Sequence, residues 1–160
     1  MNIDITGLKH GILEYIPIDE SLDVNLFELE NSGILELKEV NLFGTITKDN
    51  LDNYSLDLKL SGVMVLPCSI TLKPVDYSFE TEIIGNIEEM LEEINETFKK
   101  SENTIDIFPI IWENILMEIP IKVTSPDADK ENLSGDGWRL VTEDEGLKVS
   151  NAFDKLKDLL

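Results

Sequence analysis

One stretch near the middle of the chain decides the fold class: Leu56-Asp57-Leu58-Lys59-Leu60-Ser61-Gly62-Val63-Met64-Val65-Leu66. Leucine alternates with polar or charged residues over its first half, which is the period of a half-buried β-strand. The stretch becomes continuously apolar from Val63, so we expect its second half to be covered on both faces. The alternation returns over residues 77 to 81, and residues 48 to 53 supply the turn formers that separate two strands. The sequence therefore predicts an antiparallel meander over residues 33 to 84.

A change of period after the meander predicts a helix with one acidic face. Asn86 and Glu89 have the spacing of a capping pair, and apolar residues then recur at three- and four-residue steps. This pattern predicts a helix over residues 87 to 98. The stretch from Glu80 to Glu96 holds seven acidic residues and no basic one. Such a run is either a solvated surface or a contact surface for a basic protein.

A second short helix is expected after Asp106, which is well placed as an N-cap with Pro109 in the first turn. This helix should end before Pro120, and residues 121 to 124 are expected to return as a strand. Together these elements predict an α+β fold. Its antiparallel sheet either stays open or closes partly into a barrel, packs with one or two helices, and precedes an irregular C-terminal tail.

The composition changes near residue 125, and we expect residues 1 to 125 to form a single α+β domain. Residues 126 to 160 are predicted to be an acidic loop followed by a helical tail attached to the same domain. Trp138 and Arg139 interrupt the loop as a short strand or an anchored turn. Phe153 and Leu156 begin the helical spacing of the tail, which predicts a docking helix or one that folds on a partner.

Acidic residues dominate the charge balance, with 33 of them against 13 basic residues and a net charge of -20. Arg139 is the only arginine. Nucleic-acid binding depends on neutralising phosphates with lysine and arginine, so this balance disfavours direct RNA contact and favours a basic protein partner. One cysteine, the absence of a signal-like leader and the absence of any apolar run near 18 residues predict a cytoplasmic protein without membrane contact.

The turn after the apolar run carries a family likeness. Its residues are Leu66-Pro67-Cys68-Ser69-Ile70-Thr71-Leu72. They resemble the Leu-Pro-Cys-x-Arg-Thr-Leu stretch of the YceD-like large ribosomal RNA subunit accumulation family, in its low-GC Gram-positive type. The family's arginine position is Ile70 in this chain. If that arginine contacts RNA in relatives, this chain has lost or relocated the contact.

Further motifs carry the resemblance in the same order along nearly the whole chain. They are the opening strand at residues 1 to 8, the acidic and isoleucine-rich element of Thr104 to Ile107 with Glu113, Leu116 and Ile119-Pro120, Gly137-Trp138, and the ending over residues 151 to 160. The resemblance implies a role in accumulation or processing of large-subunit ribosomal RNA. Arg139 joins Trp138 as a candidate because both residue types are enriched at interface hot spots. The resemblance and this enrichment together give ten signature or interaction candidates: Leu66, Pro67, Cys68, Thr71, Leu72, Glu113, Trp138, Arg139, Phe153 and Leu156.

No catalytic, cofactor or metal site is predicted. Cys68 and His10 are the only cysteine and histidine, and nothing in the sequence brings them together as a nucleophile and its base. Cysteine pairs that suggest a metal site in other branches of the family are missing. An EF-hand loop starting at Asp127 would need glycine at its sixth position and glutamate at its twelfth, where Asn132 and Trp138 stand.

The sequence thus predicts a non-enzymatic factor in large ribosomal subunit assembly or ribosomal RNA accumulation. We expect it to bind a basic ribosomal protein or a pre-ribosomal particle, because of the resemblance and the net charge. Two alternatives stay open at this point. One is a direct ribosomal RNA binder that uses a local lysine patch, and the other is a hydrolase that uses paired carboxylates.

Overall fold

The computed structural model of the chain describes residues 1–22, 29–30, 32–94, 103–126, 134–135 and 138–139. The chain divides into two compact units, Met1–Val123 and Thr124–Leu160. The first unit contains β1 (Asn2–Asp4), α1 (Thr6–Lys9), β2 (Tyr15–Leu22), β3 (Glu36–Lys48), β4 (Tyr54–Pro67), β5 (Pro74–Asn86), α2 (Ile87–Glu93), β6 (Thr104–Asp106) and α3 (Phe108–Met117). In the second unit, β7 (Ser134–Gly135) pairs with β8 (Trp138–Arg139). The predicted single domain over residues 1 to 125 stays a prediction.

The first unit is built on a four-stranded antiparallel sheet in the order β2-β3-β4-β5. Each strand pairs with its neighbour in sequence, so the predicted meander and the α+β class are confirmed. The sheet is open, with β2 and β5 at its edges, so the structure selects the open form of the two alternatives. A second, two-stranded sheet pairs β1 with β6 and places Ile3 opposite Ile105.

The core lies against one face of the four-stranded sheet, which we call the inner face. Alternate positions of β4, Leu56, Leu58 and Leu60, are buried there, as the leucine alternation predicts. Met64, Val65 and Leu66 are buried at consecutive positions, which confirms that the apolar half of β4 is covered on both faces. Helices add to this core through Leu8 of α1, Ile87 and Leu91 of α2, and Ile110, Ile111 and Ile115 of α3.

Two glycines let the central strands approach each other closely. A Cβ atom on Gly44 would lie 2.1 Å from the carbonyl oxygen of Asp57 and 2.7 Å from the Cα of Leu58, far inside van der Waals contact. A β-bulge between Lys38 and Asn41 shifts the register of β3 against β4. Opposite this bulge, a Cβ atom on Gly62 would lie 3.2 Å from the Cα of Val40. Only glycine fits these positions without movement of the neighbouring atoms.

The helices begin where their capping residues predict, with one correction. The Asn86 side chain accepts hydrogen bonds from the backbone N–H groups of Glu88 and Glu89, so it caps α2 as expected. Helix α2 ends at Glu93, and the predicted residues 95 to 98 lie outside the described part of the chain. The N-cap of α3 is Ile107, one residue later than predicted, although the Asp106 carboxylate still accepts a hydrogen bond from the N–H of Phe108 at 3.0 Å.

Two strand predictions change at the ends of the unit. The predicted opening strand over residues 1 to 8 is shorter, because β1 ends at Asp4 and its carboxylate accepts from the backbone N–H of Thr6 at the start of α1. The strand expected over residues 121 to 124 is wrong. Val123 alone exchanges hydrogen bonds with Ser69, which holds the segment beside the sheet without a ladder. Within the described ranges, no helix has the length and apolar content needed to cross a membrane.

Candidate functional site: an acidic groove beside the sheet

A groove of about 250 Å³ lies where the edge strand β5 meets α2 and α3. Its deepest apolar side chains, Ile83 and Ile110, belong to the core and are buried. Ile84 and Met117 are exposed, with 68% and 74% of their surfaces accessible. The lining residues are Glu82, Ile83, Ile84, Met90, Glu93, Ile94, Ile110, Glu113, Asn114 and Met117. We refer to this feature as the acidic groove.

Three carboxylates surround the apolar surface of the acidic groove: Glu82 of β5, Glu93 of α2 and Glu113 of α3. No lysine or arginine is among the lining residues. Glu82 already forms an ion pair with Lys59, at 2.9 Å between Oε1 and Nζ. Glu93 and Glu113 have no basic side chain within ion-pair distance among the described residues. Within the described part of the chain, the negative charge of these two carboxylates is therefore uncompensated.

Local sequence fixes the two helices that carry these carboxylates. The cap from Asn86 sets the start of α2 directly after β5, so Met90 and Glu93 follow on the side of the helix that lines the groove. On α3, the amide nitrogen of Asn114 donates to the backbone oxygen of Ile110 at 2.8 Å, which holds this side chain against its own helix. Helices α2 and α3 contact each other. The groove is thus built on regular elements rather than on loops.

An apolar surface bounded by uncompensated carboxylates suits a segment that combines apolar side chains with lysine or arginine. Methionine at two lining positions, Met90 and Met117, gives a surface that can adjust to different side-chain shapes. Carboxylates at the edge attract a basic partner. This attraction weakens as the salt concentration rises, because the carboxylates lie at the protein surface. The groove thus has the chemistry to bind a basic polypeptide segment.

The turn that carries the family likeness is held by its own backbone. The N–H of Cys68 donates to the carbonyl oxygen of Lys73 at 2.8 Å, and the N–H of Leu72 donates to the carbonyl oxygen of Cys68 at 2.9 Å. Cys68 is fully buried directly after the end of β4, and Leu66 is buried beside it. Pro67 pairs with Pro74 at the end of the β4–β5 ladder. This geometry gives Cys68 a packing position at the margin of the sheet.

Leu72 is the exception in this turn, because its side chain is 76% exposed and its φ of +59° is in the left-handed region. A non-glycine residue in this region is uncommon and costs free energy. The Thr71 hydroxyl accepts a hydrogen bond from the N–H of Lys73 at 3.5 Å, and Ile70 is half-buried. An apolar side chain is thus held outward at the tip of the turn.

The described residues show no support for a Cys68–His10 pair or for a metal site. His10 is exposed at the end of α1, whereas Cys68 is buried. In the described ranges, no three histidine, cysteine, aspartate or glutamate side chains form a group that could hold a metal ion. The acidic run that starts at Asp127 lies outside those ranges.

The ten sequence-predicted candidates do not form one site. Glu113 lines the acidic groove. Leu66 and Pro67 end β4, and Cys68, Thr71 and Leu72 belong to the turn between β4 and β5. Trp138 and Arg139 form β8 in the second unit, and Phe153 and Leu156 lie outside the described part of the chain. Their roles stay predictions.

Glu113 is the one lining residue among the ten predicted candidates, and Glu82 and Glu93 belong to the predicted acidic stretch from Glu80 to Glu96. For Ile84 the sequence carries a separate signal. Ile83 and Ile84 are consecutive in a strand that otherwise alternates, so one of the two must point away from the core. Ile84 is that residue, and it is exposed. An apolar residue on the polar side of a strand indicates a contact surface.

Comparison with known proteins agrees with the likeness seen in the turn. The profile of the family described as "Large ribosomal RNA subunit accumulation protein YceD" matches residues 56–160. The chain is 30% identical over 135 residues to the "Uncharacterized protein YlbN" of Bacillus subtilis (strain 168), covering 79% of this chain and 77% of that protein. No solved structure shows a significant match. The chain therefore belongs to the YceD family, and the predicted resemblance is confirmed.

Proposed function

We propose that this protein is a non-enzymatic factor in large ribosomal subunit assembly, which binds a lysine- and arginine-bearing segment of a ribosomal protein in the acidic groove. The segment is either free or part of a pre-ribosomal particle. Family membership supports a role in large-subunit biogenesis. One observation supports the choice of partner: no basic side chain among the described residues pairs with Glu93 or Glu113, which lie beside exposed Ile84 and Met117.

The net charge of -20 acts in the same direction over longer distances. Charge complementarity accelerates the encounter of two proteins and suppresses wrong partners, and both effects weaken as salt screens the charges. Ribosomal proteins are basic partners of the kind that such a surface attracts. An RNA backbone carries the same negative charge as this protein and is repelled.

The alternative of a lysine patch for RNA has little support in the described residues. Three of the lysines there form ion pairs with carboxylates, so much of their charge is already compensated. These pairs are Lys38 with Asp76 at 3.3 Å, Lys48 with Asp52 at 2.7 Å, and Lys59 with Glu82 at 2.9 Å.

The alternative of a hydrolase has even less support. Catalytic carboxylates are usually placed where burial or a close partner tunes their pKa. Among the described residues, no polar or charged side chain is buried. The carboxylates of the acidic groove lie at the surface, which suits attraction of a cation better than proton transfer.

Co-sedimentation with large-subunit precursors across a salt series tests the proposal. We expect wild-type protein to co-sediment at low salt and to dissociate as the salt concentration rises. The double variant Glu93→Gln/Glu113→Gln should bind about tenfold more weakly at low salt, since each lost rim charge contributes on the order of 0.5–1 kcal/mol. The control Glu14→Gln/Glu30→Gln removes the same charge outside the groove.

Retention that does not depend on salt, or equal losses in the two double variants, would contradict a role for the acidic groove. Retention that disappears on RNase treatment, while purified ribosomal proteins fail to bind, would favour the RNA-binding alternative. Purified basic ribosomal proteins should therefore be measured in parallel.

A further inference from the structure

The face of the four-stranded sheet opposite the core, which we call the outer face, is exposed alongside the first half of β4 and carries apolar side chains there. Strand pairing resolves which residues are neighbours there. From β2 to β5, its four rows are Tyr15-Thr47-Ser55-Asn86, Pro17-Thr45-Asp57-Ile84, Asp19-Phe43-Lys59-Glu82 and Ser21-Asn41-Ser61-Glu80. Phe43 lies near the middle with 66% of its surface exposed. No described residue covers this aromatic ring, so it is accessible to a partner.

Carboxylates lie on both sides of this ring. Asp19 is directly opposite Phe43 on β2, so their Cβ atoms are about 5 Å apart. Asp57 on β4 is the diagonal neighbour of Phe43, because it pairs with Thr45, and such neighbours are about 7–8 Å apart. Both aspartates are exposed, and neither forms an ion pair among the described residues. Phe43 is therefore a flat apolar surface between two available carboxylates.

The lysine in the same row does not occupy this position. Lys59 is opposite Phe43 on β4, but its Nζ lies 2.9 Å from Glu82 on β5, on the side away from the ring. The hydrogen bond to Glu82 and the charges of Glu82, Glu80 and Asp57 raise the pKa of Lys59 above its ordinary value. The outer face thus stabilises positive charge, and its own lysine leaves the ring of Phe43 uncovered.

We propose that Phe43, Asp19 and Asp57 bind an arginine side chain of a basic protein partner on the outer face of the sheet. A guanidinium group is planar, stacks on an aromatic ring and donates hydrogen bonds outward within its plane. The ring of Phe43 offers a flat surface for stacking, and the two flanking carboxylates can accept the hydrogen bonds that the guanidinium donates. Lysine, a compact and strongly hydrated point charge, matches only the charge.

Other occupants fit this face less well. Asp19, Asp57, Glu80 and Glu82 outnumber Lys59, so a second copy of the chain would bring like charges together. A single-stranded nucleic acid could stack a base on Phe43, but the same carboxylates would repel its phosphates. The outer face also shares Glu82 and Ile84 with the acidic groove, so one basic partner can reach both surfaces. The inference rests on the proposed function, because both assume the same basic protein partner.

Two peptides of equal length and charge, one with arginine and one with lysine at every basic position, test the inference in fluorescence anisotropy titrations. We expect the arginine peptide to bind wild-type protein about fivefold more tightly, because a guanidinium stacks on the ring and donates to the flanking carboxylates better than a hydrated ammonium does. Phe43→Leu should abolish this preference and leave the lysine peptide unaffected. Asp19→Asn should weaken the arginine peptide more than the lysine peptide.

Tyr15→Leu is the matched control, because Tyr15 is another exposed aromatic residue of the outer face but lies opposite Thr47 rather than a carboxylate. It should keep the arginine preference. Equal affinities of the two peptides for wild-type protein, or an equal preference in Phe43→Leu, would overturn the inference. Binding of a single-stranded RNA oligonucleotide that is lost in Phe43→Leu would overturn it as well.

The groove variant Glu93→Gln/Glu113→Gln separates this inference from the proposed function. It should weaken both peptides equally and keep the preference for arginine. If particle binding depends on the groove but the preference survives in Phe43→Leu, the outer-face inference fails and the proposed function stands. If the preference depends on Phe43 but particle retention is insensitive to salt and to the groove variant, the proposed function fails instead.

Discussion

The two faces of the four-stranded sheet use the same strands for different purposes. Along β3, Leu42 is 1% exposed on the inner face, whereas the next residue, Phe43, is 66% exposed on the outer face. Burial of the inner face is non-directional, so any apolar residue of suitable size serves there. The outer face depends on which side chains are neighbours across strands, as for Phe43 and Asp19. Adjacent residues on β3 therefore serve different roles: Leu42 contributes to stability, and Phe43 belongs to the surface that we propose for recognition.

The largest effect should come from truncating the two neighbours on β3. Leu42→Ala removes a fully buried side chain and leaves a cavity, so we expect a loss of about 3 kcal/mol in the free energy of unfolding. Phe43→Ala removes a larger side chain that is mostly in water, so its loss should stay below about 1 kcal/mol. Urea unfolding followed by circular dichroism measures both values.

A larger loss of stability in Phe43→Ala than in Leu42→Ala would mean that the outer face is covered in the folded chain. A docking surface there would then have no basis. A loss of unfolding free energy in Phe43→Ala that appears only at high protein concentration would indicate that a second copy of the chain covers the ring. Sedimentation velocity at two concentrations distinguishes this case from a change in the monomer.

A smaller but clear effect should come from adding one methyl group between the central strands. Gly44→Ala places a Cβ atom 2.1 Å from the backbone oxygen of Asp57, and backbone cannot move aside as a flexible side chain can. We expect destabilisation of about 2 kcal/mol. Gly85→Ala is the matched control on β5, because its nearest neighbour is the flexible Met90 side chain at 3.5 Å. Equal unfolding free energies of the two variants would contradict the close approach of β3 and β4.

The inner face could be predicted from the sequence because alternation reports burial directly. Leu56, Leu58 and Leu60 are separated by polar residues, and this alternation predicts a strand that buries its leucine face. The capping role of Asn86 was equally accessible, because a cap depends on residues within one turn. The confirmed parts of the prediction thus rest on local patterns or on burial.

The rest depends on contacts between residues distant in sequence. Strand β2 has no counterpart among the predictions, because Pro17 and adjacent acidic residues obscure its alternation, and proline is tolerated there only because β2 is an edge strand. The acidic groove brings Glu113 to the glutamate run of β5 and α2. The carboxylates beside Phe43 are visible only once the register is known. Neither arrangement follows from a pattern within one segment.

The smallest effect concerns the pair formed by Lys59 and Glu82 on the outer face. The hydrogen bond to Glu82, followed by the charges of Glu82, Glu80 and Asp57, raises the pKa of Lys59 above its ordinary value of 10.5. A raised folded-state pKa contributes stability that is fully present below the unfolded-state value and is lost as the pH rises through the folded-state value. The stability advantage of wild-type protein over Lys59→Met should therefore stay constant up to the unfolded-state pKa of about 10.4 and shrink as the pH rises above it.

Unfolding in urea at several pH values measures this difference, and Glu82→Gln supplies the control because it removes the largest cause of the raised pKa. In the Glu82→Gln background, the effect of Lys59→Met should depend less on pH. An unchanged pH dependence would mean that the pair does not form in solution. Lys59 would then be free to reach Phe43 across the strand, and the ring would no longer be available to an arginine from a partner. A minor contribution to stability thus decides whether the outer face is open for recognition.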